Sequence, residues 1–349
     1  NTIINKEYLK SSFYNIEIMI QENVQKQRSI NQIIGLMQQS KLSDQGKVIT
    51  LYDLFSDPLT TDLMCNADGK VYVDKLSLGM YYVGEVDGRI VRSIISNVAG
   101  FHDSICNEEH PVCEGEFPVD GSRFEGCLPP IVSIPSFVLR KKATQIFTLD
   151  DYVKCGTITP HQREIISKAV VNKKNLLIVG GTGSGKTTLI NAVIKEMEKL
   201  CPTDRVLIIE DTGEIQCAAK NKIQLHTAPL SHIYMTDLLK VALRYRPDRI
   251  LVGEVRGPEA LDLLDAWNTG HSGGLATLHS NTAISALDRL KGLVTRNKYH
   301  PDDIDKIIGE TVNYIIHIAR VPGGRKLKDI IEIEYYDVST RKYVFHRVE

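Results

Sequence analysis

A chain of 349 residues with 42% apolar and 24% charged side chains is neither bulk-disordered nor one small domain; at roughly 150 residues per domain it holds two, each able to bury a core. Its formal net charge of −1 excludes a strong long-range pull on DNA or anionic lipid, leaving only local basic patches. No apolar stretch approaches the roughly 20 residues of a membrane-spanning helix, so membrane association is expected through partners or a surface patch. The cysteines at 65, 106, 113, 127, 155, 201 and 217 are odd in number and follow no signal-peptide pattern, which reads as reduced thiols in a cytosolic protein. Because the first residue is Asn rather than Met, a few preceding residues are expected.

Residues 1 to about 49 are rich in Gln, Asn, Lys and Ile. Apolar positions Ile16, Ile18, Met19, Ile20, Ile30, Ile33, Ile34 and Met37 suggest one or two helices without strong caps. From residue 60 short β-prone runs take over, with a hairpin-type turn at Asn66-Ala-Asp-Gly69. Ile90, Val91, Ile94, Ile95 and Val98 then share one helical face. A second β-prone block ends at Lys142, its prolines marking edge strands or loop borders. Residues 1–142 therefore form a small N-terminal α+β domain with a poorly defined helical start, and 143–159 a linker. A helix opens at Thr159 as N-cap and Pro160 as N1.

From residue 174 strands and helices alternate, the pattern of a parallel sheet covered on both faces; 160–349 form this second domain. Strands are expected at Asn175–Val179, Arg205–Ile209, Arg249–Val252 and Leu275–Leu278. Helices are expected from Thr187, from Met235 with Leu238, Leu239, Ala242 and Leu243 buried, and from Gly257-Pro258 to Gly270. The tail, 314–349, reads as strands joined by turns at Pro322-Gly-Gly324 and Asp337-Ser339.

Directly behind the first of those strands stands Gly180-Gly-Thr-Gly-Ser-Gly-Lys-Thr-Thr188, which fits G-x-x-x-x-G-K-[ST]. Gly181, Thr182, Gly183, Ser184 and Gly185 would turn backbone N–H groups onto phosphate oxygens, helped by the positive end of the following helix. Lys186 would neutralise the β- and γ-phosphates, Thr187 would offer a Mg²⁺ ligand, and Thr188 would complete the ATP cradle. Two acidic sites close neighbouring strands, Glu210-Asp211 and Glu254, and in an open α/β sheet such ends face the ligand. Gly253 stands where a P-loop enzyme commonly has an Asp, so Glu254 fits polarisation of water better than direct metal binding. His279 ends a further strand at the same edge, as either a core histidine or a catalytic group. Arg244 and Arg246, at the end of the helix before Arg249, suit bidentate phosphate contact in trans or a solvated helix end. The spacing His102-x3-Cys106-x3-His110-x2-Cys113 lacks the paired C-x2-C knuckles of strong zinc sites and reads as free thiols rather than a metal site.

These segments, "GGTGSGKTT", "IEDTGEI", "RYRPDRILVGEVRGPEALDLLDAWNTGHSGG" and "ATLHSN", resemble the secretion-ATPase branch of P-loop motors, in particular the TrbB-type conjugal transfer ATPases of type IV secretion. "DPLTTDLMCNADGKVYVD", "DGSRFEGCLPP" and "FVLRKK" extend the resemblance to about residues 55–295. It implies an α/β fold with a RecA-like ATPase domain behind a smaller, PAS-like α+β domain. It also implies a homo-hexamer that hydrolyses ATP with Mg²⁺, cytoplasmic and peripheral to the inner membrane, working with membrane-embedded secretion or conjugation components. Position by position it makes Lys186 and Thr187 the Walker A pair, Glu210 part of the Asp-box, Glu254 the Walker B glutamate and His279 the His-box residue. Arg123 and Arg140 fall where the family reaches the nucleotide from its N-terminal domain.

Other expectations stay open beside it. A RecA-type helicase or translocase would need basic, aromatic-interleaved loops, and short runs such as Arg140-Lys-Lys142 do not supply them, so no sequence-specific nucleic-acid binding is expected. A small-molecule kinase would be active as a monomer. Pilus and type II secretion ATPases are close cousins, but the C-x2-C pairs some of them carry are missing.

Overall fold

The computed structural model describes residues 24–44, 46–75, 78–142, 146–322 and 324–348; Ile16, Ile18, Met19 and Ile20 lie outside the described residues. The chain divides into two compact units, residues 1–144 and 145–349.

In the first unit a helix, α1 (residues 24–39), buries Ile33 and Met37. Residues 41–50, expected within a helical start, instead form the antiparallel hairpin β1 (Lys41–Asp44) and β2 (Lys47–Thr50). Gly46 at positive φ makes that turn, and Leu42 is the buried member of the pair. α2 (Leu51–Ser56) follows at once under a Thr50–Asp53 capping box. The main sheet has six antiparallel strands: β3 (Thr60–Cys65), β4 (Lys70–Lys75), β5 (Gly79–Glu85), β6 (Val112–Glu116), β7 (Arg123–Cys127) and β8 (Ser136–Arg140), in the order β5-β4-β3-β8-β7-β6. The Asn66-Ala-Asp-Gly69 turn joins β3 to β4, closed by Asn66 N–H on the Lys70 carbonyl at 2.8 Å. α3 (Gly88–Phe101) buries Val91, Ile94, Ile95 and Val98 in one core with Leu63, Val71, Phe124 and Leu139, every one from alternate, inward positions of its strand.

The second unit begins inside the stretch expected as a linker. α4 (Leu149–Lys154), capped by Thr148 and Asp151, buries Leu149 and Tyr152, and Ile158 joins the same core. Residues 143–159 are thus largely part of this unit, because their apolar side chains have a helix face to fill. α5 (Pro160–Val171) starts under the Thr159–Gln162 capping box. The remaining elements are β9 (Leu176–Gly180), α6 (Lys186–Leu200), β10 (Val206–Glu210), β11 (Lys222–His226), α7 (Met235–Ala242), β12 (Arg249–Val255), α8 (Glu259–Asn268), β13 (Leu275–His279), α9 (Ser285–Val294), α10 (Ile304–Thr311), β14 (Tyr314–Val321), β15 (Gly324–Asp337) and β16 (Lys342–Arg347). They build one mixed sheet in the order β11-β10-β12-β13-β9-β14-β15-β16, parallel from β11 to β14 and antiparallel beyond.

Continuous apolar strands follow from burial on both faces. Leu177, Val179, Leu207, Ile209, Ile250, Val252, Ala276 and Leu278 enter the core with α7, α8, α9 and α10. Their neighbours Leu176, Ile178, Val206, Ile208, Leu251 and Leu275 enter the core with α4, α5 and α6. Leu243 departs from expectation: the helix gives way to a 3-10 turn, Leu243–Tyr245, and Leu243 is exposed. The parallel register brings the carboxyl ends of β9, β10, β12 and β13 to one edge, which is where the loop 180–185 sits.

Candidate nucleotide site

The loop after β9 owes its shape to glycine. Gly183 and Gly185 have φ of +69° and +94°, conformations that side-chain-bearing residues rarely adopt. Gly185 serves as N-cap of α6 with no side-chain cap, so the first N–H groups of that helix are left for a ligand. The Ser184 hydroxyl is buried in the loop without a hydrogen-bond partner. A cradle of converging N–H groups with an orphaned hydroxyl fits the phosphates of a nucleotide.

Lys186, the first residue of α6, is only 8% exposed. Its Nζ donates to the carbonyls of Gly180 at 3.0 Å and Gly181 at 3.1 Å, and lies 3.3 Å from His279 Nδ1. His279 Nε2 lies 3.1 Å from Glu254 Oε1. Both contacts are satisfied when His279 carries its proton on Nε2 and accepts from Lys186 on Nδ1. Burial, followed by the charge of Lys186, pushes His279 below its ordinary value, which keeps the ring neutral. Burial also lowers Lys186, against the opposing pull of Glu254. Glu254 is pushed up by burial, but the hydrogen bond and charge of Arg256, with His279 and Lys186, outweigh that and hold it below the usual carboxylate range. A cation, a neutral imidazole and an ionised carboxylate therefore stand in line beside the cradle.

The second strand end is organised differently from expectation. Glu210 is 2% exposed, and its Oε2 accepts from the backbone N–H groups of Glu214 at 2.8 Å and Ile215 at 2.9 Å. Its Oε1 accepts from Gln224 Nε2 at 2.5 Å. Glu210 thus shapes the 211–215 loop, and the residue that this loop turns toward the cradle is Glu214, whose Oε2 lies 3.4 Å from Thr187 Oγ1. The sequence had marked Glu210 and passed over Glu214; both lie in the same quoted segment, four residues apart. Glu210 also explains Gly253, since a Cβ there would sit 2.9 Å from the Glu210 Cβ. Any side chain at that strand position would force Glu210 to shift.

Arg256 was likewise not singled out. Its NH2 lies 2.6 Å from Glu254 Oε2 and its NH1 3.5 Å from Asp211 Oδ2. The turn carrying it is fixed by buried Glu259, which accepts from the N–H groups of Arg256 at 2.7 Å and Gly257 at 2.8 Å. Thr182 and Thr188 flank the cradle. Arg244 and Arg246 are exposed and precede β12, at the amino end of the sheet, so within one chain they lie away from the edge that holds the cradle. Arg123 and Arg140 are cross-strand partners on β7 and β8 of the first unit, and Arg140 Nε pairs with Asp62 Oδ1 at 2.8 Å. Cys106 and Cys113 are buried in the core of the first unit, burial pushing the Cys113 thiol up to about 12, and His102 Nε2 lies 2.6 Å from the Glu116 carbonyl. Among the described residues no group of three or more His, Cys, Asp or Glu is placed to hold a metal ion, and all seven cysteines are unpaired.

A phosphate cradle at the carboxyl edge of a parallel sheet, flanked by a glutamate and a histidine, defines a P-loop ATPase of the α/β class. Residues 123–335 match the family described as "Type II/IV secretion system protein". The chain is 46% identical over 280 residues, 80% of its length and 85% of the relative's, to a probable conjugal transfer protein TrbB of Sinorhizobium fredii (strain NBRC 101917 / NGR234). It is 44% identical over 298 residues, 85% of its length and 90% of the relative's, to the conjugal transfer protein TrbB of Rhizobium radiobacter. Its fold is similar to that of the Legionella pneumophila ATPase DotB, with a TM-score of 0.58 at 20% identity, covering 83% of this chain and 80% of that one. The chain belongs to the type II/IV secretion system protein family and is one of its secretion ATPases.

Proposed function

We propose that this secretion ATPase works as a homo-hexameric ring that hydrolyses ATP to drive a conjugal transfer or type IV secretion apparatus, docked on membrane-embedded components at the inner face of the membrane. The names of its relatives support the conjugal branch. Among the described residues no helix is long and apolar enough to cross a membrane.

The observation that carries the catalytic assignment is the Lys186–His279–Glu254 line beside the cradle. Lys186 leaves its loop carbonyls to meet the β- and γ-phosphates. Glu254, ionised, orients and polarises the attacking water. His279, neutral, donates its single N–H to Glu254 and holds that carboxylate in place beside the terminal phosphate. Thr187 and Glu214 offer hard oxygen donors on one side of the cradle, a set that suits Mg²⁺. Bound there, the ion would neutralise charge building on the phosphate oxygens. Arg123 and Arg140 of the first unit are assigned to the nucleotide on the resemblance to the family. Arg244 and Arg246, remote within one chain, would have to act on a neighbouring copy.

The test is mass in solution, by light scattering with and without a non-hydrolysable ATP analogue, read beside ATPase rate against protein concentration. A ring requires specific activity to rise with concentration in step with hexamer mass. A fully active monomer would overturn the ring. Salt-sensitive stimulation by single-stranded DNA would move the assignment toward a translocase.

A further inference from the structure

The cradle has a second wall that the catalytic groups do not use. In the sheet order, β12 and β13 lie on one side of the P-loop strand β9, and β14 and β15 on the other. Glu254 and His279, which flank Lys186, come from the first side. A nucleotide with its terminal phosphate among those groups can extend its ribose and base toward the opposite side of the loop.

Arg325 stands there, at the start of β15. A Cβ added at Gly185 would meet its Cδ at 2.8 Å and its Nε at 3.1 Å, so the stem lies directly over the glycine that caps α6. Its Nε donates to the Gly183 carbonyl at 3.4 Å. Ile318 on β14 continues the wall, with Cδ1 3.9 Å from the same Cβ position. The strand beneath is anchored: Lys326 Nζ donates to the Gly156 carbonyl at 2.5 Å, Leu327 N–H donates to the Thr157 carbonyl at 2.9 Å, and the Leu327 side chain is buried. Arg325 is therefore exposed, yet held against the loop by its own backbone, and among the described residues no carboxylate pairs with it.

Building on the nucleotide-cradle assignment above, we propose that Arg325 receives the base-and-ribose end of ATP. Its guanidinium plane stacks on the purine, while the Gly183 carbonyl fixes the orientation of that plane. Arginine suits this position because it is planar, weakly hydrated and permanently charged, whereas a lysine ammonium offers no face.

Inorganic tripolyphosphate, which carries the phosphates without base or ribose, separates the two ends of the ligand. In the full-length chain, R325A should raise KM for ATP about tenfold and change kcat by less than about threefold. Inhibition by tripolyphosphate should stay at the wild-type level, and R325K should recover less than half of the loss. An unchanged KM in R325A overturns the proposal, and so does an equal weakening of tripolyphosphate, which would put Arg325 on the phosphates. K186A serves as the reference for the cradle itself and should lose both ATP hydrolysis and tripolyphosphate inhibition. If K186A keeps them, the cradle assignment fails and takes the proposal with it; a silent R325A beside a dead K186A refutes Arg325 alone.

Discussion

The guanidinium of Arg256 lies 2.6 Å from one oxygen of Glu254, two residues earlier in the chain, while His279 meets the other oxygen at 3.1 Å. The carboxylate is thus pinned from both sides and kept ionised despite its burial. Glu254→Gln keeps the shape but cannot polarise water, so ATP analogue binding should persist while turnover falls about a hundred- to ten-thousandfold. Loss of analogue binding would instead make Glu254 structural. Arg256→Ala should lower kcat about three- to tenfold, a modest figure because the guanidinium is half exposed and screened by water. Its effect should vanish in the Glu254→Gln background, which a double-mutant cycle reads directly.

Glu210 and Glu214 should separate by what each substitution damages. Glu210→Ala strips acceptors from the buried Ile215 N–H and from two partly buried donors, the Glu214 N–H and Gln224 Nε2 of the neighbouring strand β11. Stranding such donors should cost about 2–5 kcal/mol, seen as a lower urea midpoint. Glu214→Gln should leave the unfolding free energy within about 0.5 kcal/mol of wild type and raise the Mg²⁺ concentration needed for half-maximal ATPase. Equal loss of stability in both variants would erase the distinction.

The contrast between these two glutamates marks the limit of what the sequence shows. Lys186, Thr187, Glu254 and His279 were legible because fixed spacing or a strand end dictates their edge of a parallel sheet. A strand end says that a carboxylate is at that edge but not which way the following turn rolls, so Glu210 and Glu214 could not be told apart. Arg325 was illegible for a different reason: its contact with Gly183 spans 142 residues of chain. β11 escaped notice because none of Lys222–His226 is fully buried, and an edge strand without a core face shows no apolar run. The first unit's sheet, by contrast, announced itself through alternation and the Asn66–Gly69 turn.

His279 gives the site a pH dependence with a definite sign. Burial and the Lys186 charge depress it below the ordinary imidazole value of about 6.5, so the neutral ring persists through neutrality and is lost only on further acidification. Glu254 is depressed as well and stays ionised over the same range. In kcat/KM, which reports the free enzyme, the acid limb should therefore begin below pH about 6.5. His279→Gln should remove that limb while lowering the plateau. A limb that survives unchanged in His279→Gln would belong to another group.

Arg140, Lys141 and Lys142 are adjacent at the end of β8, yet each should fail differently. Arg140 is more than half exposed, and its pair with Asp62 should add no more than about 1 kcal/mol to stability. If its task is to hold two phosphate oxygens in one orientation, Arg140→Lys should already weaken activity and Arg140→Ala should lower it about tenfold, with thermal stability little changed. Lys141 is packed: its Nζ donates to the Asp57 carbonyl at 2.8 Å and lies 5.5 Å from the centre of the Phe55 ring. Burial lowers its pKa. Lys141→Ala should therefore cost about 1–2 kcal/mol of stability and leave ATP turnover per folded molecule intact. Lys142 meets Glu116 at 3.4 Å in a partly exposed pair and should tolerate alanine. Calorimetry beside steady-state ATPase distinguishes the three. If Arg140→Ala is silent and the lysine variants cut turnover, the basic run faces a partner or membrane surface, and the first unit has no arginine on the nucleotide from β8.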